Sequence, residues 1–417
     1  MTSTIKADVV TAQATNGNVT LQGNGTGTVA IGDNTAITGT ATVSSTLGVT
    51  GATTLSSTLG VTGASTLTGG AIISGQQMPT AGGLWTGRNL WINGEFTISQ
   101  RATSASSITS AGFHTVDRLY FNYGTLGTWT LSQSTDVPSG KGFGYSFKAD
   151  CTAADASPAV GDKLLVAQSI EGQNLQRLKK GTSDAEDITI SFWVKSGLTG
   201  VHIVEIYDND NGRSINKSYT IASADTWENH SITFAGDTTG TLTNDNGTSL
   251  TIGFWLGAGT NFTSGTLATS WATATNANRA VGQVNLANNT ANNWLITGIM
   301  VEAGTAATPF EHESPAETLQ KCQRYFTKIA PKVSSVTVRG YNSSGAVVSS
   351  WFSFPTQMRA EPTCAITGTW AVSNCGQPAF QSFSIDGFLL GATTASAADT
   401  YFYPDATSEY ITASAEL

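Results

Sequence analysis

From Val19 to Ile73 nearly every large aliphatic residue stands at an odd-numbered position, Leu21, Val29, Ile31, Leu47 and Leu59 among them, while the even positions hold Ser, Thr, Gly, Ala and a few amides. Ile72 is the exception. A period of two sends successive side chains to opposite faces of an extended strand, so the pattern predicts β-structure with one buried face and no helix or bulge to shift the register. Within it, STLGVTGATTL at 45–55 returns as STLGVTGASTL at 57–67, with ITGTATV at 37–43 as a weaker copy. Large aliphatics recur every six residues at Ile37, Val43, Val49, Leu55, Val61, Leu67 and Ile73. One such residue in six buries too little within a single chain to offset the entropy of ordering it. Three chains sharing one core remove that difficulty, so residues 37–84 are expected to form a trimeric shaft, a β-prism or intertwined β-helix with closed threefold symmetry. Residues 1–36 carry short strands around the Gly-rich QGNGTG, which predicts a hairpin and, with no chemistry in view, an attachment segment.

After Trp85 the pattern changes to aromatic strands separated by turn clusters: Gly144-YSFKA, Ile188-TISFWVKS, Val201-HIVEIYD, the pair Ser218-YTIA and Ser231-ITFAG, Leu250-TIGFWLG and Trp294-LITGIMVE. Turn formers such as Asp208-NDNG, Asn244-DNGTS and Asn288-NTANN lie between them. This spacing predicts an antiparallel jelly-roll sandwich over 85–313. Ser314-Pro-Ala-Glu317 is a capping box with Pro at the first helical position, and Leu319, Cys322 and Tyr325 or Phe326 then share a face. A linking helix over 314–330, ending near Lys328, follows from it. Strand patterns resume over 331–417 and predict a β-sandwich knob in which the turn at Asn342-SSG closes a hairpin. The fold class is therefore mainly β, with one linking helix.

Composition sharpens the boundary. Residues 1–84 hold no aromatic residue, and 7–87 hold no Lys, Arg or Glu. Over all 417 residues only 12% are charged, with a net charge of -9, which does not suit a phosphate backbone. The one basic cluster, Arg177, Lys179 and Lys180, is expected on a solvated face, and nucleic acid is not expected as a partner. No basic and apolar leader opens the sequence and no run of about 18 apolar residues occurs, so neither export by a signal peptide nor membrane insertion is expected. Four cysteines, Cys151, Cys322, Cys364 and Cys375, lack zinc spacing, and only Cys364 and Cys375 are near enough for a local bridge. No HxxxH or HExxH spacing occurs, so no metal and no cofactor is expected.

A set of short motifs carries a family resemblance. Asn89-Leu-Trp-Ile-Asn-Gly-Glu-Phe-Thr-Ile-Ser-Gln-Arg101, Asp117-Arg118, Gln168-Ser-Ile-Glu171, Ser191-Phe-Trp-Val-Lys-Ser196, Thr226-Trp227 and 298–302 run in order. Thr308-Pro-Phe-Glu-His312, Cys322-Gln-Arg-Tyr325, Phe354-Pro355, Met358-Arg359 and Pro362-Thr363 continue them. Together they resemble bacteriophage tail fibres and receptor-binding fibres with carbohydrate-binding-module-like jelly-roll domains. Glu313 departs from that resemblance, standing where such fibres often carry Arg. The resemblance implies a homotrimeric virion appendage, assembled in the bacterial cytoplasm, that docks on other virion proteins through its N-terminal part. It also implies host adsorption by multivalent binding to a surface polysaccharide or lipopolysaccharide. A capsid-decorating head fibre with a structural role is the alternative that these motifs do not separate from it.

Sugar recognition needs open aromatic faces for pyranose CH groups and polar groups for hydroxyls. The candidates are Trp227, Trp255 and Trp271 in the sandwich and Trp351, Trp370, Tyr401 and Tyr403 in the knob. Trp271 stands out because its stretch, Ser264-GTLATSWATATN, lacks strand character. Arg118, Gln168, Glu171 and Lys195 are expected to form a structural network within the sandwich. A polysaccharide-degrading tail spike would need two carboxylates about 5–9.5 Å apart. Glu171, Glu205, Asp208 and Glu302 are available, but nothing in their spacing pairs them, and an enzyme is not expected. Asp208-Asn-Asp-Asn-Gly has the oxygens of a calcium loop without its bidentate Glu, since Tyr219 stands there, and reads as a turn.

Overall fold

The computed structural model describes residues 40, 42–43, 46–50, 53–55, 72–73, 76–77, 87–329 and 337–417. The chain divides into two units, Met1–Thr66 and Leu67–Leu417. The expected attachment segment lies outside the described residues, as does most of the expected shaft. In the first unit the hexad residues Val43, Val49 and Leu55 are all more than half exposed, as is Leu47.

The second unit begins with a small antiparallel pair, β1 (Ile72–Ile73) and β2 (Gln76–Gln77). Twelve further strands follow: β3 (Ser104–Ile108), β4 (Tyr120–Gly124), β5 (Thr128–Ser134), β6 (Ser146–Ala153), β7 (Lys163–Glu171), β8 (Ile188–Ser196), β9 (Gly200–Asp208), β10 (Arg213–Ile221), β11 (Glu228–Phe234), β12 (Thr248–Ala258), β13 (Ala272–Thr273) and β14 (Asn293–Ala303). They build two six-stranded antiparallel sheets, ordered β13-β10-β9-β12-β7-β4 and β11-β8-β14-β6-β5-β3. The chain crosses repeatedly between the sheets in the manner of a jelly roll. Strands β10 and β11, which carry the YTIA and ITFAG patterns, belong to opposite sheets.

Alternation explains the layer between the sheets. Val204, Ile206, Ile252, Phe254 and Leu256 face inward from one sheet, and Phe147, Ile190, Phe192, Val194, Trp294 and Ile296 from the other, all 2% exposed or less. Burying that apolar area is the main driving force for the unit. At Gly298 the pairing of β14 with β8 is shifted, the backbone is left-handed at φ 63°, and a Cβ would stand 2.5 Å from the Phe143 ring. Only glycine meets both demands there.

The chain enters this sandwich through a clamp. The Glu311 carboxylate accepts the backbone N–H groups of Gly87 (2.5 Å), Arg88 (2.8 Å) and Asn89 (2.9 Å), while Arg177 donates to the carbonyls of Gly87 (2.6 Å) and Arg88 (2.8 Å). The Arg177, Lys179 and Lys180 cluster is therefore not one solvated face. Lys179 pairs with Glu186 at the surface, whereas Lys180 is buried against Asp208 and Asp237 and donates to the carbonyls of Thr239 and Gly240.

The linking helix α2 (Pro315–Gln323) starts as the sequence indicates, with Ser314 and Glu317 forming the full capping box; a single helical turn in the sandwich, α1 (Thr260–Thr263), precedes it. The helix stops earlier than Lys328. Phe326–Ile329 instead forms β15, whose partner is β23 (Tyr410–Ser414), because strand pairing with a distant segment outweighs the local helical pattern. Between them run β16 (Val338–Asn342), β17 (Val347–Ser353), β18 (Thr363–Thr367), β19 (Ala371–Ser373), β20 (Ala379–Phe383), β21 (Gly387–Thr393) and β22 (Ala398–Tyr403). The knob consists of three three-stranded sheets, β15-β23-β18, β16-β22-β19 and β17-β21-β20. The turn after Asn342 does not close a hairpin: β16 pairs with β22 and β17 with β21, and the two strands face one another, with Val348 Cγ2 2.7 Å from where a Cβ of Gly340 would stand. Cys364 and Cys375 are both free thiols.

A buried ionic joint ties the knob to the sandwich. Arg118, 1% exposed, donates to the Glu416 carboxylate and to Ser169 O (2.7 Å), and its guanidinium lies 3.5 Å from the Tyr325 ring centre. Arg101 donates to the other oxygen of Glu416 at 3.0 Å and stacks on Phe326 at 3.6 Å. Arg324 holds Glu171 with two bonds of 2.8 Å, and Arg359 donates to the carbonyls of Asn246 and Ala415. Gln168 bonds both N and O of Ile92, while Lys195 pairs with Asp136. Arg118, Gln168, Glu171 and Lys195 thus all hold structure together.

Candidate functional site

The seven aromatic candidates divide by exposure. Trp255 is fully buried on the outer face of its sheet, beneath the 259–285 segment, where it packs on Phe262 and donates from Nε1 to Glu205 at 3.2 Å. Trp370 is 2% exposed inside the knob. Both are core residues, and burial removes them as sugar platforms. Trp271 is half-buried: its Nε1 donates to Ala235 O at 2.7 Å and its ring covers the Lys180 ammonium at 5.2 Å, so it seals a buried ion cluster and is not the free ring its sequence context suggests. Trp227 is half-buried on the outer face of the other sheet.

Tyr401 and Tyr403 come together. They alternate with the buried Phe402 along β22, so both rings lie on the outer face of the β16-β22-β19 sheet, stacked with centroids 6.0 Å apart and planes at 24°. Arg339 is opposite Tyr401 in register, and its guanidinium stands 5.3 Å from that ring. On the other flank the small side chains of Ala371 and Ser373 are opposite Tyr403 and Tyr401, and both rings are half-buried. Tyr341, 70% exposed, completes the face. Arg339 stands in no motif of the sequence. Its signal was the scarcity of basic residues in 337–417, which hold only Arg339 and Arg359, the latter occupied at the joint.

Trp351 occupies the outer face of another knob sheet and is 47% exposed. It sits opposite Leu389, and a Cβ on Gly387 would come within 2.9 Å of its ring, so the indole lies over bare backbone. Aromatic rings on an outer face offer hydrophobic surface to the CH groups of a sugar, and a planar guanidinium beside them offers donors to its oxygens.

The four carboxylates available for glycoside chemistry are separately engaged. Glu171 is bound by Arg324, Glu205 by Arg279 (2.6 and 2.9 Å), Asp208 by Lys180 and Asn211, and Glu302 by the N–H and hydroxyl of Thr308 (2.8 and 2.7 Å). Burial pushes the Glu171 carboxyl up, but the bonds from Arg324 and Tyr325 outweigh it and hold the group below its usual range. Among the described residues no group of three or more His, Cys, Asp or Glu is placed to hold a metal ion, and no helix is long and apolar enough to cross a membrane. A cleft of about 660 Å³ beside α2, lined by Ser169, Gln173, Gln176, Arg177 and Arg324, has its cations bound to protein oxygens.

No family model and no curated protein matches the sequence. Among solved structures, the enzymatically active domain of tailspike protein 4 from bacteriophage CBA120 is similar over 52% of this chain at 13% identity and a TM-score of 0.28. The family 11 carbohydrate-binding module of Clostridium thermocellum Lic26A-Cel5E is similar over 51% at 15% identity and a TM-score of 0.23. The matched region spans 21% of the tailspike chain and 99% of the module. Similarity at this level says nothing of what this chain binds.

Proposed function

We propose that the protein is a phage fibre that attaches the virion to its host by multivalent binding of a surface glycan, and that it acts by binding and not by catalysis. The observation that carries this is the stacked, half-buried Tyr401–Tyr403 pair on the outer face of its sheet, with the exposed Arg339 over it and small neighbours beside it. The motif resemblance along the sandwich supports the same assignment. Exposed aliphatics at six-residue spacing, Val43, Val49 and Leu55, support a shaft whose core is completed by two further copies of the chain. In this scheme the upstream segment docks on the virion, the fibre assembles in the bacterial cytoplasm, and three weak knob sites per trimer supply avidity.

The experiment is an array of bacterial surface polysaccharides probed with the purified chain and with a Tyr401→Ala/Tyr403→Ala double variant, beside light scattering of each. The expected result is a trimer that binds at least one glycan, with binding lost in a variant that remains trimeric. A monomer whose glycan binding survives the double substitution overturns the proposal.

A further inference from the structure

The outer face of the β11-β8-β14-β6-β5-β3 sheet carries two Trp–Lys pairs side by side. In register Trp193 of β8 is opposite Asn229 of β11, and Lys195 and Trp227 lie two residues further along, so the two indoles are diagonal neighbours. Lys195 Nζ stands 6.0 Å from the Trp227 ring and Lys141 Nζ 5.4 Å from the Trp193 ring. The pairs differ in one respect. Asp136 serves the first pair, accepting from Lys195 Nζ at 2.5 Å and from Trp227 Nε1 at 3.0 Å. Burial pushes that carboxyl up, yet the bonds from Lys195 and Trp227 outweigh it and the group lies below its usual range. Among the described residues no carboxylate serves the second pair: Lys141 is exposed and forms no ion pair.

Lys141 is also held in place by a built loop. Gly140 and Gly142 on either side of it take left-handed φ of 70° and 86°, and its N–H donates to Pro138 O at 3.4 Å. Two residues on from Lys141, Phe143 is buried over Gly298 and packs edge-on against Phe310 at 5.2 Å. The loop is thus anchored while its lysine projects over Trp193. Asn229 donates its amide N–H to Phe192 O, which leaves its Oδ1 to accept from a hydroxyl.

We infer that Lys141 and Trp193 form a binding subsite for the carboxylate-bearing sugar of an acidic polysaccharide. The sugar carboxylate takes at this pair the place that Asp136 fills at the other, accepting from Lys141 Nζ and Trp193 Nε1, while the pyranose lies on the indole face. The inference rests on the glycan reading for its ligand class, but its residues are in the sandwich and not in the knob.

The test is calorimetric titration with an oligogalacturonate and with the same oligosaccharide after its carboxyls are reduced to alcohols. The unmodified chain is expected to bind the acid about tenfold more tightly than the reduced form, since one charge-assisted contact of this kind is worth roughly 1.4 kcal/mol. Lys141→Gln, on an exposed loop, is expected to remove that preference and flatten the salt dependence, and Trp193→Ala to remove binding of both forms. The Tyr401→Ala/Tyr403→Ala variant keeps this binding, so failure of the knob site and failure of this one are told apart. Equal affinity for acid and reduced forms, an unchanged preference in Lys141→Gln, or no binding at millimolar oligosaccharide overturns the inference.

Discussion

The sandwich and the knob are both antiparallel β-structure, yet they use aromatic residues and charge in opposite ways. In the sandwich, two six-stranded sheets enclose enough volume for Trp129, Trp255 and Trp294 to be fully buried, and the buried Lys180 has internal partners in Asp208 and Asp237. The knob divides into three-stranded sheets whose interior is filled by a few residues, Phe388, Leu390, Phe402 and Trp370 among them. Trp351, Tyr401, Tyr403 and Tyr341 are left outside it, with Arg339 over the Tyr401 ring and, among the described residues, in no ion pair. A small sheet has more surface than it can cover with its own side chains, and aromatic surface left open is free for recognition.

The contrast can be broken most strongly at its tryptophans. Trp255→Ala removes a fully buried ring and is expected to cost about 3–5 kcal/mol, whereas Trp351→Ala on the knob surface is expected to change stability by about 0.5 kcal/mol or less, both read by denaturant unfolding. Arg118→Ala follows closely, since it leaves Glu416 in the joint without its most buried cation. A loss of about 3 kcal/mol is expected, with the knob unfolding ahead of the sandwich in calorimetry. Gly298→Ala adds a Cβ against Phe143 at a left-handed position, and about 1–3 kcal/mol is expected, with the loss confined to the sandwich transition.

The smallest effect sharpens the electrostatic half of the comparison. Burial raises the Asp117 carboxyl to about 6, against the pull of bonds from Gln100 and of Arg101. The folded state therefore holds this proton more tightly than the unfolded chain, whose carboxyl titrates near 3.8. The stability it contributes is fully present below the unfolded value and is lost as pH rises through about 6. Asp117→Asn, which fixes the uncharged form, is expected to flatten the fall in stability between about pH 4 and pH 6 measured by unfolding at each pH.

Much of the architecture was legible in the chain because it is written locally. The change of texture near Trp85, the strand periods and the Ser314–Glu317 capping box each depend on neighbours within a few residues. What escaped was settled by distant partners. Turn chemistry at Asn342-SSG reports that the chain reverses, not which strand each arm pairs with, so a connection between facing sheets looked like a hairpin. Trp255 lies in a strand apolar on both faces, and alternation cannot say that the 259–285 segment covers the outer one. Phe326–Ile329 continues a helical pattern and becomes a strand only because Tyr410–Ser414 comes back to meet it. Of the candidate site, the Tyr401–Tyr403 face followed from alternation around Phe402. Arg339, Lys141 and Trp193 did not, since what sets them apart is the ring or cation that distant strands and loops bring against them.

The pairing of β15 with β23 also sets a timetable. Ile329 and Ile411 are opposite one another, 411 − 329 = 82 positions apart in the chain. At a synthesis rate of about 5–20 residues per second, Ile329 leaves the ribosome roughly 4–16 s before its partner exists. Through that interval Arg118 has no Glu416, and the sandwich waits with a buried cation uncompensated. A message read only as far as the knob's middle strands yields a chain that cannot close its joint.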